Sequence, residues 1–236
     1  MPPKQVSAGG WPKKVRGRKP LTRRGIFITL EGIDGTGKST QLRLLVRHLR
    51  QLGYPVRPTR EPGGTRVGER IRSILLASTT EKLAPLAELA LIYAARAQHL
   101  EEVVRPALER GEVVVSDRYN DASFAYQGYG RKLGTRVVRA FDRTVCGGTQ
   151  PDLTLLLDQP PEAALGRAKG RESRRKSRLG RFEAQGLQFH ARVRRGYLAI
   201  ARREKRRVRI IKADRSVDEV QASIRRVVDE FLARKG

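Results

Sequence analysis

Residues 32–39 read Gly32-Ile33-Asp34-Gly35-Thr36-Gly37-Lys38-Ser39, and no other stretch narrows the possible folds so far. A glycine, four variable residues and then Gly-Lys-Ser make the phosphate-binding loop (P-loop) pattern, which is meaningful only where a strand leads in and a helix leads out. Both flanks comply. Residues 26–30 are an apolar, β-branched run, and Leu42, Leu45, Val46 and Leu49 recur at helical spacing until Gly53 supplies a stop. The chemistry calls for these residue types. Glycines let successive N–H groups turn inward toward phosphate oxygens, and the helix N-terminus adds partial positive charge. Lys38 brings a full charge to the β/γ-phosphates, and the Ser39 hydroxyl can ligate Mg²⁺. The loop implies a bound nucleoside triphosphate and an α/β fold of the P-loop NTPase class.

The rest of the chain fits that class. Residues 55–59 look extended and 67–76 helical, and 84–110 form a long helical stretch, bent or broken near Pro106. Residues 113–116 read as a buried strand ending in Asp117, 136–145 as a helix, and 153–157 as a strand closed by Asp158. A helix over 182–203 and a strand over 208–211 follow, and Val217, Val220, Ile224, Val228 and Phe231 mark the last helix. Five strands separated by helices predict a parallel sheet with helices on both faces. No internal repeat or second domain is visible.

Composition excludes several classes. A single cysteine, Cys146, cannot make a disulfide scaffold, and no Cys/His group has zinc-site spacing. No run of 18 apolar residues exists to span a membrane, and no apolar segment follows the basic N-terminus as in a secretory signal. A soluble, intracellular protein is expected. Its charge is +26 over 236 residues and unevenly placed. Residues 1–24 carry eight basic residues and no acid, and read as a disordered tail that attracts polyanions without specificity. Residues 167–181 carry eight more against Glu172 alone, and read as a functional loop that interrupts the α/β pattern. His48, His99 and His190 form no base–nucleophile or metal group and read as structural or solvated; Cys146 reads as a packed residue.

Two further segments bear on the acceptor. Thr59-Arg60-Glu61-Pro62-Gly63-Gly64-Thr65 follows the second strand, at the edge where open α/β sheets bind ligands. Asp117-Arg118-Tyr119 ends the third, with Ser123 and Gln127 close behind. A carboxylate there suits Mg²⁺, and the fork of an adjacent arginine suits a phosphate.

With these segments in view, the chain from Gly25 onward resembles the thymidylate kinase (dTMP kinase) family. Phe27-Ile28-Thr29-Leu30-Glu31-Gly32, residues 59–65, Tyr93-Ala94-Ala95-Arg96, Asp117-Arg118-Tyr119 with Ser123 and Ala125-Tyr126-Gln127, Pro151 to Asp158, Arg181-Phe182-Glu183 and Phe189-His190 carry the likeness in order. The resemblance implies a cytoplasmic, homodimeric nucleoside monophosphate kinase domain over 25–236. It would move the γ-phosphate of ATP to dTMP with Mg²⁺ held near Ser39 and Asp117. Residues 32–39 would hold ATP, and Asp34 would also face the 3′-hydroxyl of dTMP. Arg60, Glu61, Arg72, Ile92, Arg96, Arg118, Ser123 and Gln127 would surround the acceptor. Lys38, Asp117, Arg118 and, from a lid over about 167–181, Arg181 would carry catalysis, with Arg174 and Arg178 behind. Some members place an arginine inside the P-loop; here that position is Gly35, so the chain resembles the type that delivers its arginine from the lid.

Two positions depart from the pattern. Ile92 stands where many members carry a ring that stacks on thymine, a loss of about 1 kcal/mol unless Tyr93 or another ring substitutes. Gly180 stands where an acid is usual. The sequence leaves open a kinase for another nucleoside monophosphate. The net charge also invites a nucleic-acid-stimulated P-loop ATPase, although aromatics are only 6% and do not interleave with the basic runs.

Overall fold

The computed structural model describes residues 24–77, 83–166, 182 and 185–235. The tail expected over 1–24 therefore lies outside the described residues except for Arg24. The lid over 167–181, with Arg174, Arg178 and Arg181, lies outside them entirely.

Five parallel strands make the sheet: β1 (Ile26–Glu31), β2 (Val56–Arg60), β3 (Val113–Asp117), β4 (Leu153–Asp158) and β5 (Val208–Lys212), in the order β2-β3-β1-β4-β5. β1 is buried at all six positions because it lies between β3 and β4 and is covered on both faces. β2 has exposed positions and carries Pro58, which an edge strand tolerates because it need not donate on its free side.

Side chains alternate across β1. Ile26, Ile28 and Leu30 pack with Leu45 and Leu49 of α1 (Lys38–Gln51) and with Val220, Ile224 and Val228 of the last helix, Val217–Lys235. Phe27 points the other way, into Leu89, Tyr93, Leu100, Val104 and Val138. Helices cover both faces, as the alternating pattern predicts. On that second face lie α3 (Pro85–His99) and α4 (Thr135–Cys146), and α2 (Arg66–Leu76) packs against α3. Thr65 caps α2 by accepting from the Gly68 N–H at 2.9 Å.

One expectation is met in detail and three are corrected. The long stretch 84–110 breaks as a π-helical turn at Leu100–Val104, one turn ahead of Pro106, whose missing N–H and bulky ring spoil the preceding turn. The helix expected from 182 begins at Leu187, with Gly186 at its N-cap and Phe182 in a turn. Residues 120–130, read only as motif, are helical: a short α turn (Asn120–Ser123) runs into a π-helical segment (Phe124–Gly130). Residues 161–166 are also helical. The polar residues of 120–130 hide the periodicity because they face the interior: Asn120, Asp121, Ser123 and Gln127 are all buried.

The strand order changes direction beside β1, since the chain leaves β1 toward β2 on one side and leaves β3 toward β4 on the other. The carboxyl ends of β1 and β3 thus open a crevice, the usual ligand position in such sheets.

Candidate active site

The loop after β1 is shaped by backbone that side chains would obstruct. Gly32, Gly35 and Gly37 have φ of 139°, 86° and 88°, a region open to glycine. A Cβ on Gly35 would sit 1.9 Å from the Ala164 carbonyl oxygen. Lys38, first residue of α1, folds back so that its Nζ donates to the carbonyls of Gly32 (3.1 Å) and Ile33 (2.9 Å). Burial, with the Arg118 charge adding to it, pushes the Lys38 ammonium down to about 8. The Ser39 hydroxyl donates to Asp117 Oδ2 at 2.9 Å. A hydroxyl and a carboxylate oxygen held together are the hard donors Mg²⁺ takes from protein when phosphates supply the rest.

Next to the loop lies a cavity walled by Asp34, Glu61, Arg72, Ile92, Arg96, Arg118, Ser123 and Gln127, together with Tyr119, Tyr126 and Phe182. Eight of the nine acceptor-site candidates converge there. Arg60 does not: it lies exposed on the end of β2, paired with Glu69 at 2.9 Å, over a neighbouring cleft that also holds Ser39 and Asp117. Arg72 reaches the cavity from α2 and donates to the Pro62 carbonyl at 2.8 Å.

Arg118 joins loop and cavity. Its Nη1 donates to the Gly32 carbonyl at 2.7 Å and to the Tyr197 hydroxyl at 3.1 Å. Its Nη2 donates to Asp34 Oδ1 at 2.6 Å and to the Tyr126 hydroxyl at 3.0 Å. Its backbone sits at φ 75°, an unusual posture for a non-glycine residue. Burial would raise the Asp34 carboxyl, but Arg118 and Lys38 outweigh it and hold the group at about 2. Beneath this cluster Glu31 accepts from the Tyr119 N–H and the Tyr197 hydroxyl, both at 2.7 Å. Complete burial, with Asp121 nearby, pushes the Glu31 carboxyl up to about 8.

Arg96 is 2% exposed. Its Nε donates to Glu61 Oε2 at 2.6 Å, its Nη1 to the Ser123 hydroxyl and its Nη2 to the Tyr119 carbonyl, both at 3.0 Å. The other Glu61 oxygen meets His99 Nδ1 at 2.8 Å, and His99 Nε2 meets the Thr59 hydroxyl at 2.6 Å. Burial works against the Glu61 charge, yet Arg96 and His99 keep its carboxyl below the ordinary value. His99 is therefore structural, as its isolation in sequence suggests, but in a specific way: it orients the partner of Arg96.

Tyr93 does not supply the ring that Ile92 lacks: it is buried against Arg96 and Phe141 and does not line the cavity, whereas Tyr119, Tyr126 and Phe182 do. Sequence reasoning assigned no role to Glu31, Glu88, Tyr126, Arg131, Phe182 or Tyr197. Glu31, Tyr126 and Phe182 lie inside motifs already singled out; Glu88, Arg131 and Tyr197 carry no local signal.

Comparison with known proteins bears on the family and the fold. The family model described as thymidylate kinase matches residues 30–224. The thymidylate kinase of Desulfovibrio desulfuricans is 46% identical over 214 residues, covering 89% of this chain and 98% of that protein. That of Pseudomonas syringae pv. tomato is 49% identical over 208 residues, covering 88% and 97%. The crystal structure of thymidylate kinase from Ehrlichia chaffeensis superimposes with a TM-score of 0.70 at 30% identity, covering 87% of this chain and 98% of that one.

Proposed function

The chain belongs to the thymidylate kinase family and transfers the γ-phosphate of ATP to dTMP, giving dTDP, and from that premise we propose how its residues divide the work. The observation that carries the reading is Arg118, whose guanidinium touches both the loop carbonyl of Gly32 and the cavity carboxylate of Asp34. Loop residues 32–39 hold the ATP phosphates, with Lys38 turning from the loop carbonyls to the β/γ oxygens. Ser39 and Asp117 would hold Mg²⁺, which would neutralise phosphate charge when bound. dTMP lies in the cavity. Arg72 and Arg118 grip its phosphate, Asp34 accepts from its 3′-hydroxyl, and Arg96, Ser123 and Gln127 meet the base, with Phe182 beside it. Arg60 approaches from the neighbouring cleft.

Transfer then needs alignment and positive charge more than covalent help. A phosphate oxygen of dTMP attacks the γ-phosphorus as its bond to the β,γ-bridging oxygen breaks and ADP leaves, while Lys38, Arg118 and a lid arginine, Arg181, offset the charge on the moving group. We further propose a homodimer working in the cytoplasm; the exposed apolar residues Val67 and Ile74 of α2 and Leu86 of the adjoining α3 offer a face for the second copy.

The placement of dTMP is tested by pairing Asp34→Asn with the 3′-deoxy analogue of dTMP. Wild type is expected to prefer dTMP about tenfold or more in kcat/KM, the scale of a hydrogen bond to a charged group, and the variant is expected to lose that preference. A preference that survives the substitution would move the 3′-hydroxyl elsewhere.

A further inference from the structure

We propose that Glu88, gripped by Arg131, fixes which end of the Gln127 amide faces the cavity, so that the pocket selects a base carrying a hydrogen-bond donor on its ring nitrogen. The proposal rests on the reading of this cavity as the base site of dTMP. Gln127 and Glu88 are each 1% exposed. Gln127 Nε2 donates to Glu88 Oε1 at 2.9 Å. Glu88 is held in turn by Arg131, through Nε to Oε1 at 3.1 Å and Nη2 to Oε2 at 2.9 Å. Arg131 is itself pinned: Nη1 donates to Gln185 Oε1 at 2.9 Å, and its guanidinium lies 4.8 Å from the Phe189 ring centre.

A side-chain amide is nearly symmetric in shape, so its direction is set by its partners rather than by packing. Here the partner is a carboxylate already engaged on both oxygens by one arginine. Turning the amide round would set two acceptor oxygens against each other in a buried place, an unfavourable contact with no water to relieve it. The NH₂ end must face Glu88, which leaves the carbonyl oxygen as the end available to a ligand. A carbonyl accepts only. It matches the N3–H of thymine or uracil and opposes the bare N3 of cytosine, whose lone pair is also an acceptor. Glu88 and Arg131 touch no substrate in this arrangement. They are positioning residues that act through Gln127.

Glu88→Gln tests this directly, because the amide introduced there can donate its own N–H to the Gln127 carbonyl and allow the Gln127 amide to turn. The ratio of kcat/KM for dTMP to that for dCMP, or of Kd values where turnover is too slow, is expected to fall ~10-fold or more, since a mismatched buried hydrogen bond costs at least that factor. Most of the change should lie in KM. The double variant Glu88→Gln with Gln127→Glu returns an acceptor-only group to the cavity and should restore discrimination against dCMP, a rescue that a merely structural role would not produce. An unchanged ratio in folded Glu88→Gln overturns the proposal. If that variant does not fold, Glu88→Ala, which removes the acceptor and frees the Gln127 amide to turn, should lower the ratio in the same direction, and an unchanged ratio there overturns it equally. Gln127→Ala separates proposal from premise. Unaltered KM for dTMP in that variant removes the cavity as base site, whereas a raised KM with an unmoved Glu88→Gln ratio sinks the amide clamp alone.

Discussion

The donor loop and the acceptor cavity meet at Arg118, yet they are built by opposite means. The loop is eight consecutive residues whose inner surface is backbone, and its cation, Lys38, rests on two carbonyls of the same loop. The cavity is assembled from side chains at the ends of β2 and β3, on α3 and on the 120–130 helix, and its charges are buried in matched sets such as Arg96 with Glu61. A backbone cradle can lose a side chain and keep its shape. A buried charge set cannot, because each member left without its partner becomes a desolvated ion.

Removing one charge from each region would sharpen that contrast. Lys38→Ala should lower turnover in an ATP-coupled assay by ~10³-fold, the scale of losing a preorganised charge at a transferring phosphoryl group. Its thermal midpoint should stay level or rise, because burial of Lys38 works against its charged form. Near-normal turnover would detach the loop from the chemistry. Arg96→Ala should lose activity and stability together. It leaves Glu61 buried with only His99 beside it, at a cost of about 3–5 kcal/mol, which for a domain of this size lowers the thermal midpoint by roughly 10 °C. A midpoint equal to wild type would break the comparison at its base.

The smallest effect concerns Glu31, on the seam between the two regions. Its carboxyl is raised from an ordinary 4.5 to about 8 by burial and Asp121. Between those values the folded chain keeps a proton that the unfolded chain releases, so this group's contribution to stability declines as pH rises through that window. Glu31→Gln removes that decline. Denaturant unfolding at stepped pH should show the variant gaining on wild type from about 4.5 to about 8 and levelling beyond. Parallel curves would mean that Glu31 carries its charge in the fold.

The same contrast explains what could be read in advance. The loop was legible because its function resides in contiguous residues with a fixed spacing, and the sheet because five apolar runs alternate with helical ones. The cavity was not. Arg72, Arg96 and Arg118 are distant in sequence, and only resemblance to a family put them in one place. The partners that fix them stayed invisible for a physical reason. Nothing in Glu88, Arg131 or Tyr197 marks a surface residue from a buried one until α3, the 120–130 helix and the Leu187–Arg203 helix pack together. The 120–130 helix escaped for the same reason, since its inward face is polar. Arg60 shows the converse: it lies in a strongly marked motif, yet in this structure it faces Glu69 in the next cleft.

The carbonyl of Ala164 lies against Gly35 so closely that the loop has no room for even a methyl group there. Relatives that mount an arginine at this place are therefore not one substitution away. A side chain at that place would demand that the 161–166 helix first withdraw from the loop, so the spacing of that helix, rather than the residue alone, decides what the position can carry.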